Sequence, residues 1–210
     1  MKYIYWLVNF LRVFFFKSRN QQVKIGKTFI VKNTILIESG NNNRMLIGNN
    51  VRLTNSKILF YGSNNEIIVG DNTDLNGVVF WIEENNNKIL IGENTTIEGN
   101  TELAACEGTN IEIGKDCMFS HSILVRTTDS HSIIDENNVR INKADNVYIG
   151  NHVWVGLQSL ILKGSHIPDA CVLGARSIVS SSNEIENHTV VVGSPARCVR
   201  KKINWLRDRI

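Results

Sequence analysis

The chain has 210 residues, 42% of them hydrophobic, with 23 Lys and Arg against 20 Asp and Glu for a net charge of +3. That excess is too small for a nucleic-acid footprint, and no basic patch interleaved with aromatics occurs in the repeat region. Only two prolines but 27 asparagines are present, and residues 23–194 show little helical periodicity, so a β-rich repeat architecture is expected.

The first element is an apolar run. From Tyr3 to Phe16 only Asn9 and Arg12 are strongly polar, and Lys2, Lys17 and Arg19 flank the run. It is short for a bilayer span and lacks a small-x-small cleavage site. Residues 1–22 are therefore expected to form an apolar helix, with two roles open. One is a membrane-surface segment through residues 1–19, and the other is a cap on the open end of a repeat stack.

The repeat follows. Gly26, Gly48, Gly70, Gly92 and Gly114 stand 22 residues apart, each after a β-branched residue. Within each unit the expected inward aliphatics step six, six and ten: Ile47, Leu53, Leu59; Val69, Leu75, Trp81; Ile91, Ile97, Leu103; Ile113, Phe119, Val125. The first coil, Ile25, Val31 and Ile37, obeys the same rule. Each coil thus reads as three strands and three corners, with four surplus residues (GSNN, NNNK, EGTN) always at one corner, where they should stack as a ridge. From Ile149 the step tightens to a strict six through Val155, Ile161, Ile167, Leu173, Val179, Ile185 and Val191. Neither a helix nor a plain alternating strand holds that period; a parallel β-helix does.

A second inward position lies two residues earlier and takes small or β-branched side chains: Val51, Thr73, Thr95, Cys117, Val153, Ser159, Ser165, Cys171 and Ser177. Asparagine and glycine concentrate at the corners, where left-handed backbone angles cost them least. Cys106, Cys117, Cys171 and Cys198 have neither disulfide nor metal spacing and read as packing residues, which suits a reducing cytoplasm. The expected location is cytoplasmic, at the inner face of the membrane if residues 1–19 bind lipid.

The rhythm breaks once. Between Val125 and Ile149 the six-residue phase would fall on His131, Asn137 and Lys143, so a polar loop of about 127–147 replaces one step, at the same corner as the ridge. An excursion of this length in a regular solenoid usually carries function. Asp129 precedes His131 by two residues, which in extended backbone puts both side chains on one side, where the carboxylate can orient the imidazole as a general base. A histidine is more often a surface or structural residue, but its place at the loop base favours His131. His121 is the reserve candidate, reaching the same edge, while His152, His166 and His188 read as solvent-facing. No nucleophile motif such as G-x-S-x-G and no phosphate-binding glycine loop occurs.

The last element, 194–210, has Val199, Ile203, Leu206 and Ile210 at helical spacing with Arg200, Lys201, Lys202, Arg207 and Arg209 mostly elsewhere, and is expected to be a short amphipathic capping helix. The domain reading is then 1–22, a β-helix over 23–193 with the loop at about 127–147, and the helix over 194–210.

VYIGNHVWVG, ILKGSHIPDACVLGARSIV and VVVGSPAR resemble the C-terminal signature of the left-handed β-helix hexapeptide-repeat acyltransferases, in particular the branch that O-acetylates bacterial capsule and surface polysaccharides. The resemblance spans about residues 110–200; the 22-residue coils depart from the family's usual eighteen-residue coil. It implies an all-β, left-handed, three-sided β-helix, a homotrimer with active sites at subunit clefts, and acetyl-CoA as co-substrate without a metal. It maps the catalytic histidine onto His131, with Asp129 beside it. Trp154 would pack the sugar ring or the pantetheine arm, or else seal the trimer interface. Gly156, Gly174, Ala175 and Arg176 match the segment along which the family lays CoA, and Arg197 matches a basic residue meeting CoA phosphate.

The expected activity is acetyl transfer to a sugar hydroxyl of a capsule, O-antigen or exopolysaccharide by direct general-base catalysis. The alternatives are N-acetylation of an amino-sugar nucleotide or a non-catalytic β-helix scaffold. A zinc enzyme on the same fold fails on spacing, because the histidines stand 10, 21, 14 and 22 residues apart.

Overall fold

In the computed structural model, which describes residues 23–210, short strands of two to six residues turn through three corners per coil. Successive strands join three sheets in rotation. Sheet A has seven strands, from Val23–Ile25 to His166–Ile167; sheet B has nine, from Ile30–Lys32 to Thr189–Gly193 and Ala196–Lys201; sheet C has seven, from Ile35–Ser39 to Ile178–Val179. All pairings are parallel except the last two strands of sheet B. The fold is a three-faced parallel β-solenoid, and the core is a stack of inward side chains in register, such as Met45, Ile67, Ile89, Ile111 and Val147 on sheet A.

Two corners explain the composition. At the corner between sheets A and B the coils approach closely: a Cβ on Gly92 would stand 2.5 Å from the Gly114 carbonyl carbon, so the 22-residue glycine period marks a column with no room for a side chain. Two residues on, Asn50, Asn72 and Asn94 take left-handed angles (φ 55°, 56° and 60°), a conformation their short polar side chains tolerate. At the corner between C and A the surplus residues form the expected ridge around a buried amide ladder. Asn65 N donates to Asn43 Oδ1 (3.0 Å), Asn87 N donates to Asn65 Oδ1 (2.8 Å), and Asn87 Oδ1 accepts from Gly108 N and Thr109 N. These side chains satisfy backbone donors that would otherwise be buried unpaired.

The small inward row is buried as expected, from Val51 and Thr73 through Ser177. Sheet C departs from expectation in its first three coils. Leu36, Ile58 and Phe80 point inward, whereas Ile37 is 47% exposed, Leu59 lies outside the core cluster and Trp81 is half-buried on the outer face against Tyr61. Strand Val78–Glu83 pairs Phe80 with Leu103, an offset of 23, because the fourth coil carries one more residue at its corner before Thr101. A one-residue difference flips every side chain of a strand to the other face.

The C-terminal helix is not observed; the described residues contain no helix. Residues Ala196–Lys201 instead run antiparallel to Thr189–Gly193, and the tail after them turns down the A/B corner. The N-terminal helix expected over 1–22 lies outside the described residues. No helix among the described residues is long and apolar enough to cross a membrane. Cys106, Cys117 and Cys171 are buried, but Cys198, on the added strand, is exposed, contrary to a packing role.

Candidate active site

The loop leaves sheet C after Leu124–Arg126 and returns to sheet A at Val147–Ile149, so it projects from the C/A corner. Its base is tied by Asp145 N donating to Thr127 O (2.9 Å), and its arms by Ile141 N to Ile133 O (2.9 Å). Asp135 Oδ1 caps the tip, accepting from Asn137 N and Val139 N. Glu107, one coil earlier, binds Arg140 at 2.5 and 2.9 Å and accepts from Thr128 Oγ1 (2.5 Å); the Arg140 and Thr128 hydrogen bonds hold its carboxyl below the usual carboxylate range.

His131 is exposed at this base. Its main-chain N donates to Asp129 O (2.8 Å), a tight turn that replaces the extended backbone expected here. No hydrogen bond joins the Asp129 carboxylate to the imidazole. Oδ2 accepts from Lys163 Nζ (2.5 Å) and Asn142 Nδ2 (2.9 Å), and the Lys163 hydrogen bond lowers its pKa. Asn142 also donates to His131 O (2.8 Å) and accepts from Ile133 N (2.7 Å).

The other expected site residues gather elsewhere. Trp154 projects from sheet B, 37% exposed. Gly156, Gly174, Ala175 and Arg176 line the B/C corner beside it: Gly156 N donates to Leu173 O (2.8 Å), and a Cβ on Gly156 would stand 2.6 Å from Ala175 N. Arg176 (φ 60°) donates through Nε to Gln158 Oε1 (2.8 Å). Arg197 is exposed on the added strand of sheet B. His121 lies on this B/C corner too, where its carbonyl accepts from Gln158 N, and so not at the loop's edge as expected. Within one chain the loop base and Trp154 are thus separated, one at the C/A corner and the other on the face opposite it.

His152 is likewise not solvent-facing. It occupies the left-handed corner position (φ 54°), with Nδ1 2.7 Å from Asp116 Oδ2 and the ring stacked on Trp205 at 4.2 Å. Trp205 Nε1 donates to His152 O (2.8 Å), and Arg207 reaches Asp116 Oδ1, Thr96 Oγ1, and the carbonyls of Asn94 and Cys117. Burial pushes Asp116 up, but the His152 and Arg207 hydrogen bonds more than offset it, leaving its carboxyl below the usual range. The tail thereby straps the A/B corner and sets the Trp205 ring 6.2 Å from that of Trp154. Trp205 was open to notice in the sequence as the one aromatic in a basic tail. Asn142 and Lys163 had no local signal, because they meet Asp129 only through the loop's return.

The arrangement suits chemistry in which an exposed base on a braced loop meets a ligand held elsewhere by an indole, close-packed glycine backbone and two arginines.

No family model matches the chain. It is 51% identical over 67 residues to the polysialic acid O-acetyltransferase of Neisseria meningitidis, 31% of each chain, and 31% identical over 99 residues to that of Escherichia coli O1:K1, so the alignments span about a third of the length of these curated relatives. The solved structure of the polysialic acid O-acetyltransferase OatWY matches 89% of this chain and 93% of its own, at 32% identity and a TM-score of 0.58. The polySia-specific acetyltransferase NeuO, at 23% identity and TM-score 0.62, has the same fold over 90% of this chain.

Proposed function

The chain belongs to the hexapeptide-repeat acyltransferase family, and from that premise we propose that it O-acetylates a sugar hydroxyl of a bacterial surface polysaccharide, with acetyl-CoA as donor. The observation that carries the reading is an exposed histidine on a braced loop interrupting a solenoid that is 32% identical to a polysialic acid O-acetyltransferase along nearly its whole length. Polysialic acid, the acceptor named for the relatives, is the first acceptor to test.

His131 takes the proton of the sugar hydroxyl as its oxygen attacks the thioester carbonyl. The tetrahedral oxyanion is steadied by a main-chain N–H, then collapses with cleavage of the C–S bond, and the imidazolium returns its proton to the departing thiolate. No enzyme nucleophile and no metal enters the step. Trp154, Gly156, Gly174, Ala175 and Arg176 bind the pantetheine arm, and Arg197 meets a CoA phosphate. In this reading two copies complete each site, the loop base of one facing the sheet B surface of the next in a homotrimer. The separation of His131 from Trp154 within one chain supports this, as do the exposed aliphatics Ile133, Ile134, Val139 and Ile141 on the projecting loop.

The test is thiol release from acetyl-CoA with purified capsular polysaccharides, polysialic acid among them, and mass spectrometry of the product. Wild type is expected to add an ester-labile acetyl group, and His131→Ala to lose about a hundredfold or more of that rate with its fold intact. Undiminished turnover in the variant would remove His131 from the mechanism.

A further inference from the structure

We propose that Asn142 is the positioning residue for His131, with Lys163 supporting it; the inference rests on the general-base reading above. In extended backbone Asp129 would have oriented the imidazole, but its Oδ2 accepts from Lys163 Nζ (2.5 Å) and Asn142 Nδ2 (2.9 Å), and no hydrogen bond joins its carboxylate to the imidazole. The hydrogen bonds that hold His131 run through its main chain.

Asn142 controls that main chain from both sides. Its Nδ2 donates to His131 O (2.8 Å) and to Asp129 Oδ2 (2.9 Å); its Oδ1 accepts from Ile133 N (2.7 Å) and, more weakly, from Arg140 Nε (3.3 Å). One half-buried amide thus uses its donors and acceptor to span residues 131–133, the segment that carries the base. A primary amide supplies the set required, two N–H donors for His131 O and Asp129 Oδ2 and an acceptor oxygen for Ile133 N.

The amide is itself anchored. Lys163 Nζ donates to Asn142 O (3.0 Å) as well as to Asp129, and Arg140 Nη2 lies 3.4 Å from the same carbonyl while holding Glu107. A chain of contacts therefore runs from the rigid coils, through Lys163 on one side and Glu107 with Arg140 on the other, to Asn142 and then to the backbone of His131. The return bond from Ile141 N to Ile133 O closes the same turn but touches neither atom of His131. Misplacing a base by about 1 Å costs on the order of a hundredfold in rate.

Asn142→Ala is expected to lower kcat ten- to a hundredfold while KM for acetyl-CoA stays within about twofold and the thermal midpoint holds. The decisive readout is a double-mutant cycle. If Asn142 acts through His131, Asn142→Ala adds nothing in the His131→Ala background, so the double variant turns over within about twofold of His131→Ala alone. A full further loss in the double variant, or wild-type kcat in folded Asn142→Ala, overturns the proposal. If Asn142→Ala does not fold, Asn142→Asp and Lys163→Met take its place. The first keeps the volume and the acceptor for Ile133 N but loses the donors to His131 and Asp129; the second removes the anchor. Both are expected to lower kcat with KM preserved, and wild-type kcat in both overturns the proposal. Failure of the base reading itself would show separately, as normal turnover in His131→Ala.

Discussion

Cys117 and Cys171 occupy the same inward position as Thr95 and Ser177, and burial decides their chemistry. Burial pushes the Cys117 thiol up to about 11, and burial with the nearby Glu83 charge does the same for Cys106; Cys171 is raised for the same first reason. At neutral pH these thiols stay protonated and are poor nucleophiles. Cys198 is exposed on the added strand. Iodoacetamide is therefore expected to alkylate Cys198 alone in the folded protein, read by peptide mass spectrometry, with the other three reacting only on unfolding. Early modification of Cys117 would mean that its coil opens in the native state. The place of His131 was legible for a different reason, since a polar residue in an aliphatic phase announces itself. Its surroundings were not. Asn142 lies 11 positions beyond His131 and Lys163 lies 34 beyond Asp129, and they reach those residues only because the loop returns to its base.

Sheet C shows how an element can be recognised while its faces are misassigned. Strand Val78–Glu83 reads VVFWIE; one phase is Val78, Phe80 and Ile82, the other Val79, Trp81 and Glu83, and the six-residue step from Leu75 falls on the second although its last member is charged. Packing chooses Phe80 and Ile82 for the core, which leaves Trp81 outside with its Nε1 donating to Glu83 Oε2 (3.1 Å). Phe80→Ala is expected to cost about 3–5 kcal/mol in denaturant unfolding, and Trp81→Ala much less, because only the first opens a cavity. Equal costs would contradict the register. The C-terminal segment failed similarly. Val199, Ile203, Leu206 and Ile210 fit a helical stripe, but the edge of sheet B offers Ala196–Lys201 a ladder of backbone partners, and tertiary pairing outweighs a weak local period. Trp205, outside that stripe, is the buried residue of the tail.

At the scale of the molecule, the residues proposed for acetyl transfer occupy two places on the prism: His131 at the C/A corner, Trp154 and the glycine-lined row on sheet B and its far corner. If two copies complete each site, variants damaged on different surfaces should complement. Mixing His131→Ala with Trp154→Ala after reversible dissociation is expected to restore turnover above that of either alone, because some mixed interfaces carry an intact histidine and an intact tryptophan. Activity that never exceeds either variant would place the whole site in one chain.

The sequence by itself determined the solenoid, its three strands per coil, the asparagine ridge and the position of the interrupting loop. Each is a period or a break in one, and a period records the same burial repeated coil after coil. Only the tertiary structure decided which phase of sheet C faces inward, that the tail straps His152 through Trp205 and Arg207, and that Asn142 bonds the backbone of His131 while Asp129 bonds Lys163. Those outcomes depend on residues distant in the chain meeting at a corner, where one inserted residue or one returning strand changes which groups can reach each other.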